Sequence, residues 1–368
     1  MSTSPEGHID IQIVGRGDGV GRVEVRSSRP LLAQKLMAGR LPEEGAVLAG
    51  LLFSLCGRAQ KVAARSAAEA AMGIELRPEI LRGRVLEVCR ELAQEHAWRL
   101  LLNWPQQAGR EPDMASLLVL RQAATEPTGF AASLENLLGA VTLGESPDLW
   151  LARDLAAFDA WRRDGRTETA RLFAGLGDGP DVGVGRCVLL PPLSEMDDTL
   201  ARTLAESALN NPAFCAAPLW RDAPAETGAV ARTAAHPLLA GWIVRRGRGA
   251  GARLLARLLE LAEMPQWLRA SDNASVARMV RAWSLGDNIG VAGVETSRGL
   301  LMHVVRLEAG RIADYRILAP TEWNSGPAGP LVQALESLPA GPGLASRARL
   351  VAQSLDPCVE YGVELLEQ

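Results

Sequence analysis

The strongest limit on the fold is a long stretch, roughly residues 45–285, whose apolar residues recur at three- and four-residue intervals. That is the period of a helix and not of a strand. In "PEILRGRVLEVCRELAQEHAWRLLLNWP", Leu81, Val85, Val88, Cys89 and Leu92 fall on one face, with Pro78 suited to the first turn and Pro105 to the end. The preceding "EEGAVLAGLLFSLCGRAQKVAARSAAEAAMG" is rich in Ala and Leu, and Gly73 is a natural stop. Further helices fit "SLENLLGAVTL", "LWLARDLAAFDAWRR", "DDTLARTLAESAL", "AGARLLARLLELAEMPQWLRA" and "ASVARMVRAWSL". The Gly/Pro-rich "GLGDGPDVGVGRCVLLPPL" reads as a loop excursion between helical blocks.

Two stretches switch to strict alternation. "HIDIQIVGRGDGVGRVEVRSS" reads as a β-hairpin around a Gly-rich turn. Its Gly15, Gly17, Gly19 and Gly21 miss the G-x-G-x-x-G spacing, and no helix start follows, so a phosphate loop is disfavoured. "IGVAGVETSRGLLMHVVRLEAGRIADYRILAP" reads as a β-meander over residues 289–319 with a turn at Gly310. The expected fold class is therefore mainly α with small β elements (α+β). We expect a single domain over 1–368: a hairpin region to residue 30, a helical body over 45–285, the meander, then helix and loop over 320–368.

Composition excludes several classes of function. With 48% apolar and 22% charged residues the chain is an ordinary globular sequence, long enough for a sizeable core. A formal net charge of −4 offers no footprint for nucleic acid or an anionic membrane. No apolar run of about 18 residues suggests a membrane span, and "MSTSPEGHIDIQIV" lacks the pattern of a signal peptide. Five scattered Cys form no disulfide framework, and reduced thiols in the cytoplasm are expected.

Chemistry-bearing motifs are few. His8, His96, His236 and His303 are far apart, with no zinc spacing, and His303 within a strand reads as a satisfied structural residue. There is no P-loop and no G-x-S-x-G. A buried Cys is first of all a small hydrophobe, and Cys89 on its helix stripe fits that description. Cys187 and Cys215 have no partner pattern and read as core or loop thiols. Cys56 in "FSLCGRAQ" and Cys358 in "DPCV" look placed, the first before a helix-start Gly and the second behind a stiffening Pro.

Three ordered stretches carry a family resemblance. "GRVEVRSSRPLLAQKLMAGRLPEE…FSLCGRAQKVAARSAAEAAMGIELRPE", "GVETSRGLLMHVVRLEAGRIADYRILAPTEWNSGP" and "SLDPCVEYGVE" resemble the N-terminal, late-β and C-terminal regions of NiFe-hydrogenase large subunits. The middle of the chain is shorter and less similar. The resemblance implies a large-subunit-like helical bundle that brings Cys56 and Cys358 together across about 300 positions of sequence.

The departures from that family are as informative. Its two C-x-x-C pairs hold nickel and iron; here Ala59 and Tyr361 stand at the bridging positions and Glu364 at the closing His. Gln34 aligns with the family's proton-relay Glu, and Leu31 with its Arg. The resemblance therefore implies no catalytic residue, no nickel and no hydrogenase turnover. It does imply a retained wall for an Fe(CN)2(CO) group: Arg298 in "TSRGL", Pro320 and Thr321 in "PTEWN", with Cys56 and Cys358 as soft metal ligands.

This pattern resembles the HoxV/HupK-type hydrogenase accessory proteins. It implies a maturation scaffold that takes Fe(CN)2(CO) transiently from HypC/HypD-type proteins and delivers it to the large-subunit precursor. The sequence ends at Gln368 with no obvious segment to be cut away, as expected of a protein that receives no nickel. Two other readings stay open: a cofactor-free chaperone or adaptor gripping hydrogenase subunits or maturation factors, and a residual redox protein.

Overall fold

The computed structural model describes residues 7–16, 19–29, 33–126, 128–270 and 277–366. The Gly17 turn, Leu31 and the start of "ASVARMVRAWSL" lie outside them.

The hairpin forms as the alternation predicts: β1 (His8–Arg16) pairs antiparallel with β2 (Gly19–Ser27), and Ile9, Ile11 and Ile13 all point into the core. The C-terminus differs from the helix-and-loop expectation. Glu360–Leu366 is a strand, β9, running parallel to β1 with Ile9 opposite Tyr361. The first strand of the chain thus receives the last, and fixes where the DPC motif lies.

Two short strands, β3 (Val188–Leu189) and β4 (Ala225–Glu226), pair with each other. The meander is four-stranded and starts earlier than residue 289. β5 (Val280–Gly286), β6 (Ile289–Thr296), β7 (Gly299–Glu308) and β8 (Arg311–Leu318) lie side by side in sequence order. "VRAWSL" is a strand, against its helical reading, because a tight turn follows. Asp287 and Asn288 both take positive φ, as do Ala309 and Gly310 in the next hairpin, and such paired left-handed residues match the strand twist.

The other expected helices are present, with breaks: the stretch around Cys56 forms two helices, Pro42–Leu52 and Gly57–Ala71. "LWLARDLAAFDAWRR" breaks into Pro147–Leu151 and Leu155–Asp164, because the Asp154 carboxylate accepts from Ala157 N–H and starts a new helix. The Gly/Pro-rich excursion is tied down by Asp181, whose carboxylate accepts from the N–H groups of Gly249, Gly251 and Ala252. It thereby caps the Ala250–Arg269 helix, which is buried on nearly every side and runs through the middle of the molecule.

The helix Gly57–Ala71 lies flat on the sheet. Gly290 of β6 makes this possible: a Cβ there would lie 2.0 Å from Ala67 O and 2.3 Å from Ala71 N. Gly290→Ala is therefore expected to lower stability by about 1–3 kcal/mol or more through overpacking against backbone that cannot yield. Denaturant unfolding checks this; a variant as stable as the parent would show that helix and sheet are not rigidly stacked.

Candidate functional site

Cys56 and Cys358 come within electrostatic reach of each other at the junction of three segments. Cys56 immediately precedes the Gly57–Ala71 helix and is buried. Gly57 follows it because the chain passes the preceding helix, Pro42–Leu52, at backbone contact: a Cβ on Gly57 would lie 2.6 Å from Gly50 O. The helix start is completed from outside, since the Glu91 carboxylate accepts from Arg58 N–H at 2.8 Å and Ala59 N–H at 3.1 Å. Burial lifts the Glu91 carboxyl to about 7 in spite of those donors. Ala59, three residues after Cys56, is buried, and its methyl is part of the packed core.

Cys358 lies between the Leu344–Leu355 helix and β9. Its Sγ accepts from Arg29 Nη1 at 2.8 Å and from Thr321 Oγ1 at 3.0 Å, while its N–H donates to Thr321 Oγ1 at 3.2 Å. Thr321 stands in the first turn of the Pro320–Ser325 helix with buried Pro320 at its start. The Arg29 side chain is largely covered and paired with Glu322 at 3.3 Å. The two thiols share one electrostatic environment: Arg29 and Arg298 each act on both. Burial, then the charge of Cys358 and of Glu91, pushes the Cys56 thiol up to about 12.

Arg298 occupies the turn between β6 and β7 and is buried. Its Nη2 donates to Glu95 Oε2 at 2.8 Å, and its Nε lies 3.6 Å from Asp356 Oδ2, too far for a hydrogen bond. That Nε has no acceptor among the described residues. Asp356, two residues before Cys358, is buried in a left-handed conformation (φ 52°) that ends its helix. Arg99 meets its Oδ1 at 2.7 Å and Arg257 stands 3.9 Å from Oδ2. Burial would raise this carboxyl, but Arg298, Arg99 and Arg257 together hold it down to about 2. Arg257 in turn is lowered to about 10 by burial and by the neighbouring Arg99, Arg298 and Arg253.

Beside this cluster opens a cavity of about 720 Å³. Leu55 lines it next to Cys56, and Pro357 and Val359 line it on either side of Cys358, together with Glu95, Arg99 and Tyr361. Tyr361 pairs in β9 opposite Ile9 while lining the cavity, and Glu364 accepts from Gln12 Nε2 at 3.1 Å. Both positions that end the motif are thus used to hold the strand. Gln34 is anchored to β8, with its Oε1 accepting from Tyr315 N–H and Arg316 Nη1 and its Nε2 donating to Ala313 O. No carboxylate stands in its place.

The structure brings together all five residues singled out from the sequence: Cys56, Cys358, Arg298, Pro320 and Thr321. Cys89, Cys187 and Cys215 are buried elsewhere, and all five Cys are free thiols. Among the described residues no group of three or more His, Cys, Asp and Glu is arranged to hold a metal ion, and no helix is long and apolar enough to cross a membrane. Sequence reasoning missed Arg29, Asp356 and Gln60 as parts of the site. Asp356 was within sight in "DPC"; Arg29 had no spacing signal; Gln60, one helical turn past Cys56, donates to its Sγ at 3.6 Å and was legible from i, i+4 geometry.

Comparison with known proteins bears on what this arrangement is. The model of the nickel-dependent hydrogenase family matches residues 245–360, the part that holds Arg298, Thr321 and Cys358. Among solved structures, a NiFeSe-hydrogenase from Dm. baculatum superposes with a TM-score of 0.58 over 94% of both chains at 16% identity. One from Desulfovibrio vulgaris Hildenborough reaches 0.61 over 94% of both chains at 15% identity. These establish a large-subunit-like α+β fold. The hydrogenase expression/formation protein HupK of Rhizobium leguminosarum bv. viciae is 34% identical over 94% of this chain and 93% of its own length. The hydrogenase expression/formation protein HoxV of Cupriavidus necator is 30% identical over 93% of each. With relatives of this kind 30–34% identical over nearly the whole of each chain, the protein belongs to the HupK/HoxV family of hydrogenase expression/formation proteins.

Proposed function

We propose that this protein is a non-catalytic carrier that holds an Fe(CN)2(CO) group between Cys56 and Cys358 and delivers it to the large-subunit precursor of a NiFe-hydrogenase. The observation that carries this reading is the convergence of two thiols, about 300 positions apart in sequence, on one cluster with Arg29, Arg298 and Thr321. An iron that brings its own three diatomic ligands needs few donors from the protein, and soft thiolates suit low-spin iron. The group is anionic once bound by thiolates. Arg298 offers it a buried Nε–H without an acceptor, and Thr321 offers a hydroxyl.

Release follows from the same geometry. On this reading the two bridging thiolates of a permanent site are replaced by Ala59, packed in the core, and Tyr361, a phenol on the cavity lining that is a poor soft-metal ligand. Cys358 is half-buried, beside an open cavity through which a donor of the HypC/HypD type could present the group and the precursor receive it. The proposed setting is the cytoplasm. The group is cargo, and nickel has no place in the scheme.

The test is transfer. Protein coexpressed anaerobically with the maturation machinery, then mixed with metal-free large-subunit precursor, should lose iron in step with the precursor's gain. Iron that stays with the carrier, or a precursor that gains none, contradicts the proposal. One observation favours a second reading, a cofactor-free adaptor: Val47, Leu51 and Leu55 before Cys56, and Leu118 and Val119 near the cavity, are exposed apolar side chains. In that case the double variant Cys56→Ala/Cys358→Ala would still support maturation.

A further inference from the structure

A buried chain of hydrogen bonds leads away from Cys56 through residues that do not line the cavity. Gln60 Nε2 stands 3.6 Å from Cys56 Sγ, Gln60 Oε1 stands 2.9 Å from His303 Nε2, and His303 Nδ1 stands 2.7 Å from the Tyr315 hydroxyl. All four residues are buried. The direction of the chain follows from what each atom can do. An amide oxygen only accepts, so His303 carries its proton on Nε2 and donates to Gln60; its Nδ1 lone pair then accepts from Tyr315 O–H. The Gln60 amide is thereby oriented with its N–H₂ toward sulfur, which is left only the acceptor role.

We propose that Gln60, oriented by His303 and Tyr315, is a positioning residue that donates a hydrogen bond to the Cys56 sulfur when that sulfur serves as an iron ligand. This rests on the reading of Cys56 as a ligand given above. Burial keeps His303 neutral, its imidazolium form being favoured only below about 3, which is the state this chain requires. The arrangement costs no buried unsatisfied group along its length, and each link depends on the next.

The chemical consequence is specific. A donor to a thiolate draws electron density from sulfur, so the iron it binds is less electron-rich and gives less back-donation to CO and cyanide. Hydrogen bonds to ligands also fix their orientation, and removing such a partner typically weakens metal binding by roughly 10–100-fold.

The experiment uses full-length protein, coexpressed with the maturation machinery and purified without oxygen. Gln60→Met removes the donor at similar volume; Tyr315→Phe removes only the far hydroxyl and leaves the ring. Both should keep the CO and cyanide infrared bands, shifted to lower frequency, with the larger shift in Gln60→Met. Both should also lose iron to a chelator faster than the parent. Bands and chelator rates unchanged in Gln60→Met overturn the proposal; should that variant fail to fold, unchanged bands in Tyr315→Phe overturn it instead. If the parent itself carries no bands, the carrier reading has failed, and the inference with it.

Discussion

Replacing Asp356 by Ala is expected to destabilise the folded protein by about 3–5 kcal/mol, the usual cost of removing one partner from a buried ionic cluster. Three arginines, Arg99, Arg257 and Arg298, surround this one carboxylate in the interior. Without it their charges repel one another with little water to screen them. Asp356→Asn should cost less, since the amide keeps the volume and one acceptor for Arg99. Urea unfolding at neutral pH measures both, and a loss below about 1 kcal/mol in Asp356→Ala would mean that the cluster is solvated, not buried. Acid provides a second signature. The carboxyl is held at about 2 against an ordinary 3.8, so its contribution is complete above the ordinary value and is lost as pH falls toward 2. The gap in stability between the parent and Asp356→Asn should therefore close over that window and not above it.

Cys56→Ala and Cys358→Ala carry the other large effect, on cargo and not on folding. Each removes a single sulfur, and a small truncation of this kind costs on the order of 1 kcal/mol, so both variants should purify as folded protein. Each should nonetheless lose nearly all bound iron, because among the described residues the two thiols are the only soft donors at the junction. Cys358→Ser keeps the size and a hydroxyl for Arg29 and Thr321 to address, but replaces a soft ligand by a hard one; it should also fail to retain iron. Retention of iron in either Ala variant would place the metal elsewhere.

Much of this architecture was legible because local pattern and tertiary position agree. Ile9, Ile11 and Ile13 alternate in sequence and are all buried in the structure, and Leu81, Val85, Val88 and Leu92 form one stripe of one helix. β9 was not legible: "EYGVELL" has weak alternation and is held by a parallel partner about 350 positions away, so its conformation is set by tertiary pairing. β5 was misread because "VARMVRAWSL" satisfies a helical period, while the turn at Asp287 and Asn288 decides otherwise.

For the site, motif resemblance found Thr321, which touches Cys358, and Arg298, whose charge acts on both thiols. It did not find Arg29, whose preceding sequence is an ordinary strand end and whose partner lies about 330 positions away. Nor does any periodicity announce that His303, a satisfied residue of a strand, is the hinge of a chain ending at Cys56. Such links exist only once β7 and the Gly57–Ala71 helix are packed together.

The central claim, that the paired thiols hold a CO- and cyanide-bearing iron, is tested most directly by one infrared spectrum. The protein is coexpressed with the maturation machinery, purified without oxygen, and compared with Cys56→Ala/Cys358→Ala prepared alongside it. The carrier account predicts CO and cyanide stretching bands in the parent and none in the double variant. Bands absent from the parent, or equally present in both, would contradict it.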